Sequence, residues 1–183
     1  MGWKSREKAE RRAVKARLEW LSVVTSGRAC GECQECCWIP EIPELGQQAY
    51  ERCHHQCKTG CGVYNERPPV CRDFTCVWLS GQFEEKHRPD KIGLVVQDPT
   101  LLTLAYFGVP HIIVYSAVPC DETFASVGRR EVLNALVAID TNVIIDTPDG
   151  RMVFGPDSHH IASIKDAETE KGHGGELPAS FVR

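Results

Sequence analysis

Residues 30–37, CGECQECC, set Cys30, Cys33, Cys36 and Cys37 within eight positions. A chain that crowds four thiols this closely must either oxidise them or use them to bind something. There are ten cysteines in 183 residues, several times the usual share. Nine of them (Cys30, Cys33, Cys36, Cys37, Cys53, Cys57, Cys61, Cys71 and Cys76) fall between residues 30 and 76, and only Cys120 lies outside. This is a local cluster, unlike a disulfide framework that staples a whole chain.

The compartment decides between oxidation and coordination. The first twenty residues carry seven Lys or Arg against three Glu, net +4, with no apolar run that could serve as a signal-peptide core. No stretch approaches the roughly 20 apolar residues of a membrane span. A cytoplasmic, thiol-reducing location is therefore expected, and there clustered thiols read as metal ligands or redox catalysts. The alternative, a disulfide-rich secreted module, lacks its export signal.

The length suits one domain with an attachment, or two small ones. Residues 1–27 form a basic segment with a helix expected over Lys4–Val24, built on strong helix formers and free of Gly and Pro until Gly27. Such a helix can dock through Val14, Leu18 and Leu21 or meet nucleic acid. The rest of the chain is net −8 and no aromatic residues are interleaved, which argues against nucleic acid. Residues 28–90 are rich in turn formers and too poor in aliphatic side chains to bury a core unaided. A bound metal can replace that burial with free energy on the order of 10 kcal/mol. Residues 91–155 read as short strands at 92–97, 101–107, 111–118, 142–147 and 151–155. One amphipathic helix is expected within Glu122–Ile139, with Val132, Leu133, Leu136 and Val137 on its apolar stripe and Thr123 or Ser126 as N-cap. TPDGR at 147–151 predicts a hairpin between the last two strands. Residues 156–183 are polar and Gly-rich and are expected to lack fixed structure. The fold class expected is α+β: an N-terminal helix, an irregular metal-organised cysteine module, and a small antiparallel sheet covered by one helix.

In a Cys-x-x-Cys turn two sulfurs can converge on one ion while intervening amides point at them. Cys30, Cys33 and Cys36 make two such turns sharing a cysteine. Side chains of adjacent residues diverge, so Cys36 and Cys37 would not both serve one mononuclear site without a sharp bend. The second half, residues 53–76, adds Cys53, Cys57, Cys61, Cys71 and Cys76. Together the halves supply enough thiolates for one four-ligand cluster with reserve, or for two four-ligand sites. Zinc and an iron–sulfur cluster both fit such donors. His54 and His55 are possible further ligands or simply a polar loop pair. Arg67 and Arg72 would offset thiolate charge or form surface ion pairs. Pro68 and Pro69 fix an extended chain ahead of Cys71.

The start at Cys30, Cys33, Cys36 and Cys37, followed by Cys61, Tyr64, Arg67, Pro68, Cys71, Arg72, Phe74 and Cys76 in the order Cys-x-x-Tyr-x-x-Arg-Pro-x-x-Cys-Arg-x-Phe-x-Cys, resembles the YkgJ-type cysteine-cluster family, described as zinc- or iron-chelating CxxCxxCC domains. The resemblance covers roughly residues 28–92. It implies a metal or iron–sulfur site and names no reaction. With it the expected ligand set is Cys30, Cys33, Cys36, Cys37, Cys57, Cys61, Cys71 and Cys76, with Cys53 and Cys57 competing for the place ahead of the second motif. The cofactor expected is zinc or an iron–sulfur cluster, and a protein partner is possible. An iron–sulfur enzyme or electron carrier acting on another protein is the competing reading.

No phosphate-binding glycine loop, Gly-x-Ser-x-Gly or His-Glu-x-x-His is present. Asp140, Asp146 and Asp149 sit near strand ends, where turn and cap roles compete with acid–base work. Cys120 could be a low-pKa thiol at a helix start or a half-buried cysteine.

Overall fold

The computed structural model describes residues 27–97, 111–139 and 141–157. The expected helix at Lys4–Val24, the strand at 101–107, Asp140 and the tail beyond residue 157 lie outside these residues.

Short elements dominate the cysteine region. A 3-10 turn, Glu35–Cys37, ends the first cysteine run, and β1 (Gln56–Cys57) pairs with β2 (Gly60–Cys61) as a minimal antiparallel hairpin. Helix α1 (Pro69–Asp73) and helix α2 (Pro89–Ile92) each begin on proline, whose fixed φ suits a first helical turn. Gly93, at φ +68°, stops α2 in the left-handed conformation that glycine adopts without a Cβ clash. Between the two helices runs a further 3-10 turn, Val77–Ser80.

Four strands follow: β3 (Leu94–Val96), β4 (His111–Ser116), β5 (Asn142–Thr147) and β6 (Gly150–Phe154), with helix α3 (Val127–Val137) between β4 and β5. Their spatial order is β3-β4-β5-β6. The outer pairs are antiparallel, and Thr147 faces Gly150 across the hairpin expected from TPDGR. The central pair differs from the expected all-antiparallel sheet: β4 and β5 run parallel, with Ile112 opposite Val143 and Val114 opposite Ile145. A parallel return needs a crossover, and α3 is that crossover. The fold is α+β with a mixed sheet.

Ile112 and Val114, Val143 and Ile145, and Met152 and Phe154 alternate along their strands and meet Val132, Leu133 and Leu136 of α3 in one core. Ser126 occupies the N-cap position of α3, while the Thr123 hydroxyl donates to the Pro119 carbonyl (2.9 Å) and closes the preceding turn. The cysteine region is not packed apart from this sheet. Ile39, Cys76, Val77, Trp78 and Phe83 belong to the same hydrophobic cluster as Leu94, Val95 and Val96. No helix among the described residues is long and apolar enough to cross a membrane.

Candidate metal centre

The site is assembled on the β3 edge of the sheet. The Cys33 amide donates to the Cys30 carbonyl (2.9 Å) and the Cys37 amide to the Gln34 carbonyl (2.9 Å), so the chain from 30 to 37 is two consecutive tight turns. Two donors then hold the carbonyl of Cys37: the Cys53 amide at 3.0 Å and Gln47 Nε2 at 3.1 Å. Gln34 Nε2 donates to the Cys57 carbonyl (3.0 Å), which draws the β1–β2 hairpin against the first turns. Gly60 packs so near them that a Cβ there would stand 3.9 Å from the Gly31 carbonyl oxygen. Cys71 rides on α1, and Cys76 pairs with Gln97 in an antiparallel bridge beyond the end of β3.

All ten cysteines are free thiols. Burial raises the Cys30 thiol against the pull of Arg67, with Cys37 adding to the rise. It also raises Cys33, opposed by the nearby amides of Glu35 and Asp90. Cys76 is pushed up to about 11 by burial, opposed by the Leu79 and Trp78 amides and reinforced by Cys30 and Cys33. Cys36 donates its thiol proton to Cys37, which holds Cys36 well up and brings Cys37 down to about 7. Cys71 is raised by burial and by the neighbouring thiols of Cys37, Cys53 and Cys61.

Arg67 supplies the positive charge. Its guanidinium lies 3.8 Å from the Tyr64 ring centroid, donates from Nε to the Tyr64 carbonyl (2.9 Å) and from Nη1 to the Cys71 carbonyl (3.4 Å), and acts on Cys30, Cys37 and Cys71. Arg72, the other expected compensator, is exposed. Cys57 is exposed on β1, and its thiol is lowered by the Thr59 hydroxyl (3.6 Å) and by the amides of Thr59 and Gly60. The His54 and His55 rings lie with centroids 3.9 Å apart and planes tilted by 51°.

Among the described residues no group of three or more His, Cys, Asp or Glu side chains is drawn up tightly enough to hold an ion. The cysteine segments are gathered by backbone bonds without their side chains forming a coordination sphere. Soft thiolates are a donor type that zinc and iron–sulfur clusters take.

The remaining candidates have structural roles. Burial pushes the Cys120 thiol up, opposite to a reactive thiol, and it lies 3.1 Å from Thr147 Oγ1. Asp149 accepts from the Cys120 amide (2.8 Å) and closes the hairpin loop, while Asp146 pairs with Arg151. The Cys53 amide bond to the Cys37 carbonyl ties its loop to the first cysteine run, as the Gln34 bond ties Cys57. Nothing in the sequence marked Tyr50, a non-glycine residue at φ +66° whose hydroxyl is buried without a partner. Compared with protein-family models, curated proteins and solved structures, the chain matches none.

Proposed function

We propose that this is a metal-binding protein of the YkgJ-type CxxCxxCC class, whose clustered thiolates hold zinc or an iron–sulfur cluster in the reducing cytoplasm. The observation that carries this reading is that the backbone gathers separate cysteine runs into one place. The Cys53 amide donates to the Cys37 carbonyl (3.0 Å), Gln34 Nε2 donates to the Cys57 carbonyl (3.0 Å), and Cys71 lies near Cys37, Cys53 and Cys61. Gathered thiolates repel one another unless they bind a cation, so a bound metal would stabilise the arrangement. Arg67 would offset the negative charge of the loaded set, and Val77 and Trp78 would keep water from its inner side. A bound zinc would contribute folding free energy to a region with few aliphatic residues, and an iron–sulfur cluster would add an electron-accepting centre.

The test is metal and acid-labile sulfide analysis on protein purified anaerobically without added metal. Zinc without sulfide supports a closed structural site, and iron with sulfide supports a cluster. Protein free of both, with its cysteines reduced, overturns the reading. The second reading, an iron–sulfur electron carrier or enzyme acting on another protein, is favoured by the partial exposure of Cys53, Cys61 and Cys71, which would leave a cluster within reach of a partner. A colourless, dithionite-inert site excludes it.

A further inference from the structure

We propose that residues 83–92 form a strap between the cysteine module and helix α3, fastened by the bond between His87 and Glu131, and that releasing this bond opens the module locally while the sheet stays folded. The proposal does not depend on a bound metal.

The strap is tied on both sides. On the module side, Arg28 Nη1 donates to the carbonyls of Trp78 and Phe83 (2.7 Å each), its guanidinium lies 4.8 Å from the Trp78 ring centroid, and Trp78 Nε1 donates to the Glu84 carbonyl (3.2 Å). Arg28 lies two residues before Cys30 and Trp78 two after Cys76, so these bonds hold the chain at both ends of the cysteine run. On the other side, the first turns of α3 close on the strap. His87 Nε2 lies 2.6 Å from Glu131 Oε2, and Arg129 Nη1 donates to the Ile92 carbonyl (3.0 Å). Gly128 passes so near that a Cβ there would stand 3.0 Å from Ile92 Cγ2.

His87 is the fastening because it is the costly part of the arrangement. Its side chain is 6% exposed, its ring meets Phe83 edge-on at 6.1 Å, and its Nδ1 is buried with no partner among the described residues. A carboxylate only accepts, so the ring donates to Glu131 from Nε2. Docking the ring therefore strips water from two nitrogens and replaces it at only one. Without the Glu131 acceptor both nitrogens would be left dry, and the ring gains by returning to water. Lys86 also reaches Glu131, at 2.9 Å, but its side chain is 53% exposed, and an ion pair in solvent contributes little. Cys76 shares its hydrophobic cluster with Trp78 and Phe83, so release of the strap gives solvent a path to this thiol. The ladder between β4 and β5 does not involve the strap and stays closed.

The test is native-state alkylation of Cys76 by iodoacetamide, mapped by mass spectrometry together with amide hydrogen exchange, on reduced full-length protein kept metal-free with a chelator. Exposed Cys57 serves as the internal reference. Glu131→Ala should raise the Cys76 labelling rate by about tenfold or more and speed exchange over residues 83–92, with the β4 and β5 amides still protected. The Glu131 side chain is 42% exposed, so its replacement leaves the core intact. Lys86→Ala should label Cys76 within about twofold of the wild type. Unchanged Cys76 labelling in Glu131→Ala, labelling that rises only together with β4 and β5 exchange, or an equal rise in Lys86→Ala would overturn the strap.

Discussion

Cys76 and Gln97 face each other across an antiparallel bridge, so the last cysteine of the cluster is also stitched to the sheet at the end of β3. The same residue is buried among core side chains. Thiol position and sheet packing are therefore coupled at one backbone contact: whatever orders the Cys76 segment also orders Val77 and Trp78 against β3.

Replacing Cys76 by Ser exchanges a weakly polar thiol for a hydroxyl in that core. An imperfectly paired buried hydroxyl costs about 1–3 kcal/mol. Urea denaturation of the metal-stripped variant should show a midpoint lowered accordingly. An unchanged midpoint would mean that Cys76 is not packed as described.

Stability of the metal-free protein should fall in alkali. Burial raises the Cys76 thiol from the usual value near 9.0 to about 11, and Cys30, Cys33 and Cys36 are raised as well. Between those values the unfolded chain has released a proton that the folded chain retains, so unfolding is favoured as pH increases. Thermal midpoints of metal-stripped protein should decline from about pH 9 to 11. Loading the site with metal should flatten the profile over the same window, because bound thiolates no longer titrate there.

Gly155 closes the sheet at the end of β6. At φ +124° an added Cβ would lie 2.7 Å from both the Asn142 Cα and the Thr141 carbonyl oxygen. Both obstacles are backbone and cannot rotate aside. Gly155→Ala should destabilise the fold by more than about 1 kcal/mol, read as a lowered melting temperature; equal melting of variant and wild type would contradict the close approach.

Tyr50 buries a hydroxyl with no partner while its ring packs edge-on against Trp38 at 6.4 Å. Tyr50→Phe keeps the ring and removes the unsatisfied group, so the variant should be as stable as the wild type or more so, by up to about 1 kcal/mol. A clear loss of stability in denaturant titration would show that the hydroxyl is satisfied after all.

The elements most legible in the sequence were those with strong local chemistry. TPDGR announced the β5–β6 hairpin, and the apolar stripe of Val132, Leu133 and Leu136 announced α3. The direction of β5 was harder, because a strand's alternation is the same whether its neighbour runs parallel or antiparallel; only the crossover through α3 distinguishes them. In the cluster, spacing brings the cysteines into one module but does not separate Cys53 from Cys57. The Cys53 amide bond to the Cys37 carbonyl and the Gln34 bond to the Cys57 carbonyl are contacts between segments that no local pattern encodes. Tyr50's left-handed backbone was equally silent, since tyrosine carries no preference for it.

The most direct test of the account is X-ray absorption at the metal edge, zinc or iron, of protein purified anaerobically. Metal held by the clustered cysteines should show a first shell of sulfur near ~2.3 Å for zinc, or sulfur with a short iron–iron vector for a cluster. A first shell of nitrogen and oxygen alone, in protein whose thiols are reduced, would contradict it.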